Sequence, residues 1–106
     1  MNPRPGEVWL ADLGMAAKTR PVVVVSRYDE NPPRVLVLFV PLTSEDRGSE
    51  YEVDIPKLPF LRGEGVANVQ GIGSLAVKRL EGRLGVLPPE VMERIKKALR
   101  FAMDLD

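Results

Sequence analysis

The sequence predicts a mainly β protein with one C-terminal helix, folded as a small, strongly curved antiparallel barrel that the helix plugs. Short apolar or alternating runs, separated by turns rich in proline and glycine, occupy residues 6–87. Helical periodicity is confined to residues 89–103. At 106 residues the chain is long enough for one small hydrophobic core, so we expect a single domain over residues 1–106.

The first two predicted strands differ in how they meet the core. The first, Gly6–Leu13, alternates apolar with polar or small residues, which places Val8 and Leu10 on one face and Trp9 on the other. The second, Pro21–Arg27, contains four consecutive valines. An unbroken run of this kind is typical of a strand that is buried on both faces.

The later extended segments are shorter and more interrupted. Residues 28–34 are predicted to turn, because Asn31 stands before two prolines and cannot comfortably continue a strand. The third strand is Arg34–Leu42, and a loop follows at 43–49. Glu50–Ile55 alternates apolar and polar or acidic residues, as a half-exposed strand does. After an irregular stretch at 56–65, the extended part is completed by residues 66–70 and 75–87.

A helix is predicted from about Pro89 to Met103, because two prolines close the extended region and proline is favourable at the first helical position. Glu90 lies in the first turn, where the helix dipole favours an acid. Helical spacing defines one apolar stripe, made of Val91, Ile95, Leu99 and Ala102.

The composition limits the chemistry that is available. The chain has no cysteine and no histidine, so a thiolate zinc site is excluded and any catalysis must use carboxylates, hydroxyls, lysine or arginine. We expect no metal and no cofactor. No apolar run approaches the roughly 18 residues of a membrane helix, and the first residues are polar. We therefore expect a cytoplasmic protein without a membrane partner.

Charge is balanced overall but uneven along the chain. Fifteen basic residues match fifteen acidic ones, so strong sequence-independent binding to nucleic acid is not predicted for the chain as a whole. Residues 18–27 nevertheless hold three cations and no acid, whereas residues 45–54 hold five acids and one arginine. A neutral protein with this pattern can still carry a local basic patch.

Four stretches resemble the MazF/PemK family of toxin–antitoxin endoribonucleases. They occur in family order, and they are RPGEVWLADLG (4–14), RPVVVVS (20–26), VLFVPLTS (37–44) and KRLEGRLGVLPPEVMERIKKAL (78–99). The resemblance implies an SH3-like barrel of the type shared with the gyrase poison CcdB. It also implies a metal-independent endoribonuclease that acts on single-stranded RNA, a cognate antitoxin protein and a homodimer.

The resemblance assigns the catalytic positions to Arg20 and Thr43. In the family, the arginine before the proline of strand two lies in the RNA site, and a threonine or serine after strand three assists it. Cleavage through the 2′-hydroxyl passes through a phosphorane with extra negative charge. A guanidinium fork can bind two phosphorane oxygens at once, and a neighbouring hydroxyl can donate to a third.

Further RNA contacts are predicted around these two residues. They are Lys18, Thr19, Arg27, Ser44, Asn68 and Gln70. For some of these positions a structural role is the alternative: Thr43 and Ser44 are also turn formers, and Lys18 and Arg27 are also typical of solvated surface charge.

The sequence departs from the family where proton transfer is expected. Gln70 stands where PemK-type members place an acid, and Asn68 stands where they place an arginine. Glu45, Asp46 or Glu50, which follow Thr43, could supply a replacement base, and the alternative for such an acidic loop is that it only makes the surface soluble. The second interpretation is therefore a catalytically degenerate module of the same fold that binds RNA or an antitoxin without turnover.

Two other functions are disfavoured by the residues. CcdB-like gyrase poisons end in a Trp-Gly-Ile type signature, whereas this chain ends in FAMDLD. The glycines Gly71 and Gly73 are too few for a dinucleotide-binding loop, and no helix is predicted after them. A bulge or bend in a curved strand explains them better.

Overall fold

The computed structural model describes residues 2–14 and 19–106, and within them seven β-strands precede one α-helix. Short 3-10 turns lie at Val69–Gly71 and Val77–Arg79. In these described ranges no helix is long and apolar enough to cross a membrane. In chain order the elements are β1 (Glu7–Asp12), β2 (Thr19–Val24), β3 (Leu36–Thr43), β4 (Glu52–Asp54), β5 (Val66–Asn68), β6 (Gly73–Ala76), β7 (Leu80–Val86) and α1 (Pro89–Ala102).

The strands form one curved antiparallel sheet in the order β4-β5-β3-β2-β1-β7. The long strand β3 organises it, since Leu36–Phe39 pairs with β6 while Leu42 and Thr43 pair with β5. Strand β2 lies along the other edge of β3. The predicted mainly β fold with a C-terminal helix is confirmed, and the curved sheet does not close into a complete barrel.

Strand β2 is buried on both faces, as its valines predicted. Val22, Val23 and Val24 are fully buried. Val23 belongs to the apolar cluster beneath the helix, whereas Val22 and Val24 belong to a second cluster on the opposite face. Trp9 joins that second cluster, on the face opposite Val8 as predicted. The sheet thus separates two apolar cores, and β2 contributes to each.

Helix α1 covers one face of the sheet. Its buried residues are Val91, Met92, Ile95 and Ala98, and Ile95 is fully buried. All four residues of the predicted stripe contact the core, although Leu99 and Ala102 are only partly buried against it. Met92 and Ala98, which the prediction did not include, complete the buried face.

Several strand boundaries also differ from the prediction. Strand β2 begins at Thr19 and ends at Val24, because Thr19 and Arg20 pair with Asp12 and Ala11 of β1. Of the predicted strand at 50–55, only the three residues of β4, Glu52–Asp54, form a strand. The long extended segment at 75–87 is divided by the 3-10 turn before β7.

Ile95→Ala is expected to lower the free energy of unfolding by about 2–5 kcal/mol, because it removes buried methylene groups and leaves a cavity under the helix. Urea denaturation followed by circular dichroism measures the change. The control is Lys97→Ala, an exposed position on the same helix, which should change stability by no more than about 0.5 kcal/mol. Equal effects from the two variants would contradict the packing described here.

Candidate functional site

The register between β2 and β3 brings Arg20 and Thr43 to the same place. The strands pair Val24 with Phe39, Val23 with Val40 and Val22 with Pro41. Two residues further along each strand, the same register sets Arg20 opposite Thr43. Both residues line one cavity at this end of the two strands.

The pairing between the strands ends at this cavity. The last paired residues are Val22 and Pro41, and the next residue of β2 towards the cavity is Pro21. Neither proline has a backbone N–H, so neither can donate to a continued ladder. Both prolines line the cavity. The sheet therefore opens where Arg20 and Thr43 face each other.

The cavity has a volume of about 740 Å³ and is called here the Arg20 groove. Two arginines and two glutamates line it, so its formal charge is balanced: Arg20 comes from β2, Glu45 from the loop after β3, and Arg62 and Glu64 both come from residues 56–65. Its lining residues are Leu13, Arg20, Pro21, Pro41, Leu42, Thr43, Ser44, Glu45, Arg62, Gly63 and Glu64.

Two further concavities adjoin the Arg20 groove. One of about 520 Å³ shares Arg20 and Pro21 with it and includes Thr19. The other, of about 480 Å³, shares Thr43 with it and includes Asn68 and Gln70. The three concavities are neighbours, because the Arg20 groove shares lining residues with each of the other two.

The Arg20 side chain is available to a ligand. Arg20 is exposed and forms no ion pair with any described residue, and residues 15–18 contain no acid. Other arginines on this surface behave differently: Arg79 pairs with Asp12, and Arg83 with Glu7. An ordinary ion pair therefore does not account for Arg20 within the described part of the chain.

Thr43 combines a turn-forming contact with a free donor. Its Oγ1 accepts a hydrogen bond from the backbone N–H of Glu45 at 3.1 Å, which is the structural role that the sequence also allowed. A hydroxyl can accept and donate at once, so its proton remains available to a ligand in the groove. Ser44 beside it is exposed and lines the same groove.

Of the three acids considered as a replacement base, only Glu45 lines the Arg20 groove. Its Oε1 lies 3.4 Å from Nη2 of Arg47, and its side chain is 70% exposed. Asp46 accepts a hydrogen bond from the N–H of Gly48, and Glu50 lines none of the three concavities. The loop after β3 thus offers one candidate for the base, Glu45, and this residue is exposed and paired with an arginine.

Asn68 and Gln70 have local roles beside the groove. Asn68 Oδ1 accepts the backbone N–H of Gln70 at 3.1 Å and so caps the 3-10 turn at Val69–Gly71. A Cβ on Gly71 would lie 2.7 Å from Cγ of Pro41, so this glycine is required by close packing and not by a bound phosphate. Contact with RNA remains a prediction for both polar side chains.

Two predicted contacts fall outside the groove. Arg27 follows the opposite end of β2 and lines a separate concavity with Asp29, so one protomer does not bring it near Arg20. Lys18 lies outside the described residues. The RNA-binding role of each remains a prediction from the sequence.

The groove contains a cation and an acid that the sequence reasoning missed. Arg62 and Glu64 line both the Arg20 groove and its 520 Å³ neighbour. They lie in residues 56–65, which the sequence marks only as irregular. The one sequence feature that could have indicated them is the run RGEG, in which a glycine separates a cation from an acid. Nothing in the sequence pattern shows that this run lies close to Arg20 in the fold.

The loop after β3 is fixed by Glu52 at the rim of the 480 Å³ concavity. Glu52 Oε2 accepts the N–H of Arg47 at 2.9 Å, and Oε1 accepts the N–H and the hydroxyl of Ser49 at 2.8 and 2.9 Å. These bonds hold the pKa of Glu52 below its usual range, with the Arg47 N–H as the largest cause. The same contacts determine the course of the chain beyond Thr43.

The chain thus combines a small, open antiparallel sheet that has an apolar core on each face with a groove lined by Arg20, which forms no ion pair with any described residue, and by Thr43. The family model described as PemK-like, MazF-like toxin of type II toxin–antitoxin system matches residues 4–103, and the chain belongs to this family. The family suggested by the four sequence stretches is therefore confirmed.

Individual relatives agree with the family. The chain is 34% identical over 103 residues to the probable endoribonuclease MazF5 of Mycobacterium tuberculosis, covering 96% of this chain and 94% of that protein. A mycobacterial endoribonuclease solved in complex with its cognate antitoxin superposes with a TM-score of 0.85 at 30% identity, covering 98% and 97% of the two chains. A MazE–MazF structure from Deinococcus radiodurans, at 21% identity and a TM-score of 0.84, covers 100% and 99% and supports the fold alone.

Glu52→Gln is expected to lower the melting temperature near neutral pH, and the difference from the wild type should shrink in acid. Because the folded-state pKa of Glu52 is lowered, its contribution is complete above the unfolded pKa of about 4.3 and is lost as the pH falls through the folded value. Thermal unfolding between pH 3 and pH 7 measures this. Glu50→Gln, at an acid that accepts no hydrogen bond from the described residues, should track the wild type throughout, and a constant gap for Glu52→Gln would contradict the assignment.

Proposed function

We propose that this protein is the toxin of a toxin–antitoxin pair and cleaves single-stranded RNA without a metal ion, in the cytoplasm. The observation that carries the proposal is Arg20, an exposed guanidinium that forms no ion pair with any described residue and lines an open groove together with Thr43. Family membership and the relatives named as endoribonucleases support the same activity.

The proposed mechanism uses Arg20 and Thr43 to stabilise charge. The 2′-hydroxyl of one nucleotide attacks the adjacent phosphorus, and the phosphorane that forms carries more negative charge than the bound diester. Arg20 binds two of its oxygens through its guanidinium fork and stays protonated throughout. Thr43 donates its hydroxyl proton to a third oxygen. Both residues line the groove in the absence of RNA, and donors that need little rearrangement stabilise a transition state best.

The neighbouring concavities would hold the flanking nucleotides. Thr19 lies on one side of Arg20, and Asn68 and Gln70 lie beyond Thr43 on the other. Their amide and hydroxyl groups both donate and accept, so they can hydrogen bond to exposed base edges or sugar hydroxyls. This arrangement favours a single strand over a duplex, because only a single strand can present its bases to the groove.

Arg20→Ala is expected to reduce the single-turnover rate of RNA cleavage by about 10²–10³-fold, since it removes the main donor to the phosphorane. Arg20→Lys should retain part of the binding but little of the rate, because an ammonium has no bidentate fork. The measurement is the cleavage of a long RNA with and without EDTA, by the purified protein at saturating enzyme.

The control for this prediction is Arg34→Ala, which removes an exposed cation outside the three concavities. It should leave the rate within twofold of the wild type. Cleavage by the wild type that does not exceed that by Arg20→Ala would overturn the enzymatic proposal. Loss of activity in EDTA with recovery on adding Mg²⁺ would contradict its metal independence.

We also propose a cognate antitoxin and a homodimer as the partners of this chain. An endoribonuclease of the same fold has been solved with its antitoxin, and acidic side chains of such a partner can occupy a phosphate site. Large apolar residues remain exposed at the start of β3 and at the end of α1, and they are available for contact between protomers. They are Val35, Leu36, Leu38, Phe101, Met103 and Leu105. Light scattering of the purified chain tests the dimer.

The second candidate function is a binding module that has lost turnover. It is favoured by Asn68 and Gln70, which stand where an arginine and an acid are expected, and by the Asn68 side chain, which caps a local turn by accepting the backbone N–H of Gln70. Binding of RNA with no cleavage above Arg20→Ala would establish this alternative. It is the less favoured candidate, because the groove holds another cation and another acid.

A further inference from the structure

We propose that Glu64 is the proton acceptor of this site and that Arg62 is its second phosphate-binding cation. The inference rests on the proposed ribonuclease function and supplies the two groups that are absent from their expected positions at Gln70 and Asn68. In this protein they come from a different segment, residues 56–65, which reaches across the sheet to the Arg20 groove.

Arg62 and Glu64 lie at the junction of two concavities. Each lines the 740 Å³ groove and its 520 Å³ neighbour, and Arg20 does so too. A strand of RNA that occupies both concavities therefore lies against a lining that these three side chains share. Thr43 lines the 740 Å³ groove and the 480 Å³ concavity, but not the 520 Å³ one.

The backbone around Gly63 holds these two side chains together. Gly63 has a φ of +109°, a conformation that residues with a Cβ rarely adopt, and the chain bends at Arg62 and Gly63. Glu64 Oε1 accepts the backbone N–H of Arg62 at 2.7 Å, which fixes the carboxylate relative to the turn. Leu61 N–H donates to Leu58 O at 3.0 Å just before it.

Phe60 anchors the segment to the sheet. Its ring packs so closely over Gly85 of β7 that a Cβ on that glycine would lie 2.4 Å from the ring. Phe60 and Leu61 also contact the apolar core beneath the helix. At the base of the segment, Ile55 N–H donates to Gly65 O at 2.8 Å. Contacts with the rest of the protein thus hold both the ends and the middle of the segment. Arg62 and Glu64, which lie between these contacts, therefore have a defined position.

The two charged groups are free for a substrate. Arg62 is exposed and forms no ion pair with any described residue. Glu64 is half-buried, and within residues 2–14 and 19–106 its Oε2 takes part in no hydrogen bond. Glu45, the other acid of the groove, is more exposed and is paired with Arg47. Glu64 therefore has an oxygen that a substrate hydroxyl can reach without breaking an ion pair, whereas Glu45 does not lie at the junction of the two concavities.

The proposed step balances as a transesterification. The proton of the 2′-hydroxyl passes to Glu64 Oε2, and the 2′-oxygen forms a new bond to phosphorus. The bond from phosphorus to the 5′-oxygen breaks, and that oxygen keeps the electron pair and takes a proton from water. The products are a 2′,3′-cyclic phosphate and a 5′-hydroxyl, and Glu64 returns its proton to solvent. Arg62 binds a phosphate next to the one that reacts.

Glu64→Gln is expected to lower the single-turnover rate about 10²–10⁴-fold at saturating enzyme, which is the usual contribution of a general base. The amide keeps an Oε1 acceptor for the Arg62 N–H, so the turn should survive, and an unchanged melting temperature checks this. Binding of the same RNA with a 2′-deoxy nucleotide at the cleavage point should be as tight as for the wild type or tighter. Formate should partly restore cleavage by Glu64→Ala, because an external carboxylate can replace a base but not a structural contact.

The controls separate this inference from the proposed function. Glu50→Gln should behave as the wild type, and Glu45→Gln should keep its rate within about threefold. If the wild type cleaves and Arg20→Ala does not, but Glu64→Gln cleaves at the wild-type rate, the inference fails and the proposed function stands. If Glu45→Gln alone loses activity, Glu45 is the base and the inference is wrong. If the wild type does not cleave at all, both the proposed function and the proton-acceptor role fail.

Arg62→Ala tests the second half of the inference without any turnover. It should weaken binding of the 2′-deoxy-substituted RNA and reduce the slope of log affinity against log salt by about 1, because one phosphate contact is lost. Lys57→Ala is the matched control, since it removes a cation of the same segment that lines none of the three concavities. Equal affinities and equal slopes for the two variants would overturn the role of Arg62.

Discussion

The pairing register between β2 and β3 is the constraint on which the site depends. It sets Arg20 opposite Thr43, and it is fixed by valines that are buried on both faces of β2. A slip of one residue would exchange the two faces of the strand and move Val23 from one core to the other. The hydrophobic effect in two separate cores thus determines the geometry of two polar groups at the strand ends.

The sequence predicted the elements whose signals are local. The valine run, the alternation around Trp9 and the prolines before α1 each reflect the environment of a few adjacent residues, and the structure agrees with all three. It predicted Arg20 and Thr43 through the resemblance to the family. The predicted bounds of β4 and of β2 were wrong. The ends of a strand depend on which neighbouring strand supplies hydrogen bonds, and the sequence of the strand alone does not show this.

The positions of Arg62 and Glu64 could not be predicted from the residues around them in the sequence. Their position results from three long-range facts: a ring seated on Gly85, a hydrogen bond that closes the base of the segment, and a strand order that puts β5 beside β3. None of these can be seen in the run RGEG itself. A site that looks incomplete in the aligned positions of a sequence can therefore be complete in space, because contact between distant segments is decided by the sheet.

The closed base of residues 56–65 has an evolutionary consequence. The hydrogen bond between Ile55 and Gly65 joins the ends of the segment, and Phe60 and Leu61 hold its middle against the core, so an exposed residue such as Arg62 can be exchanged without shifting β4 against β5. The sheet carries Arg20 and Thr43, whereas this excursion carries Arg62 and Glu64. Natural selection can thus revise the acid and the cation of this segment as one inherited unit, independently of the strands that carry Arg20 and Thr43.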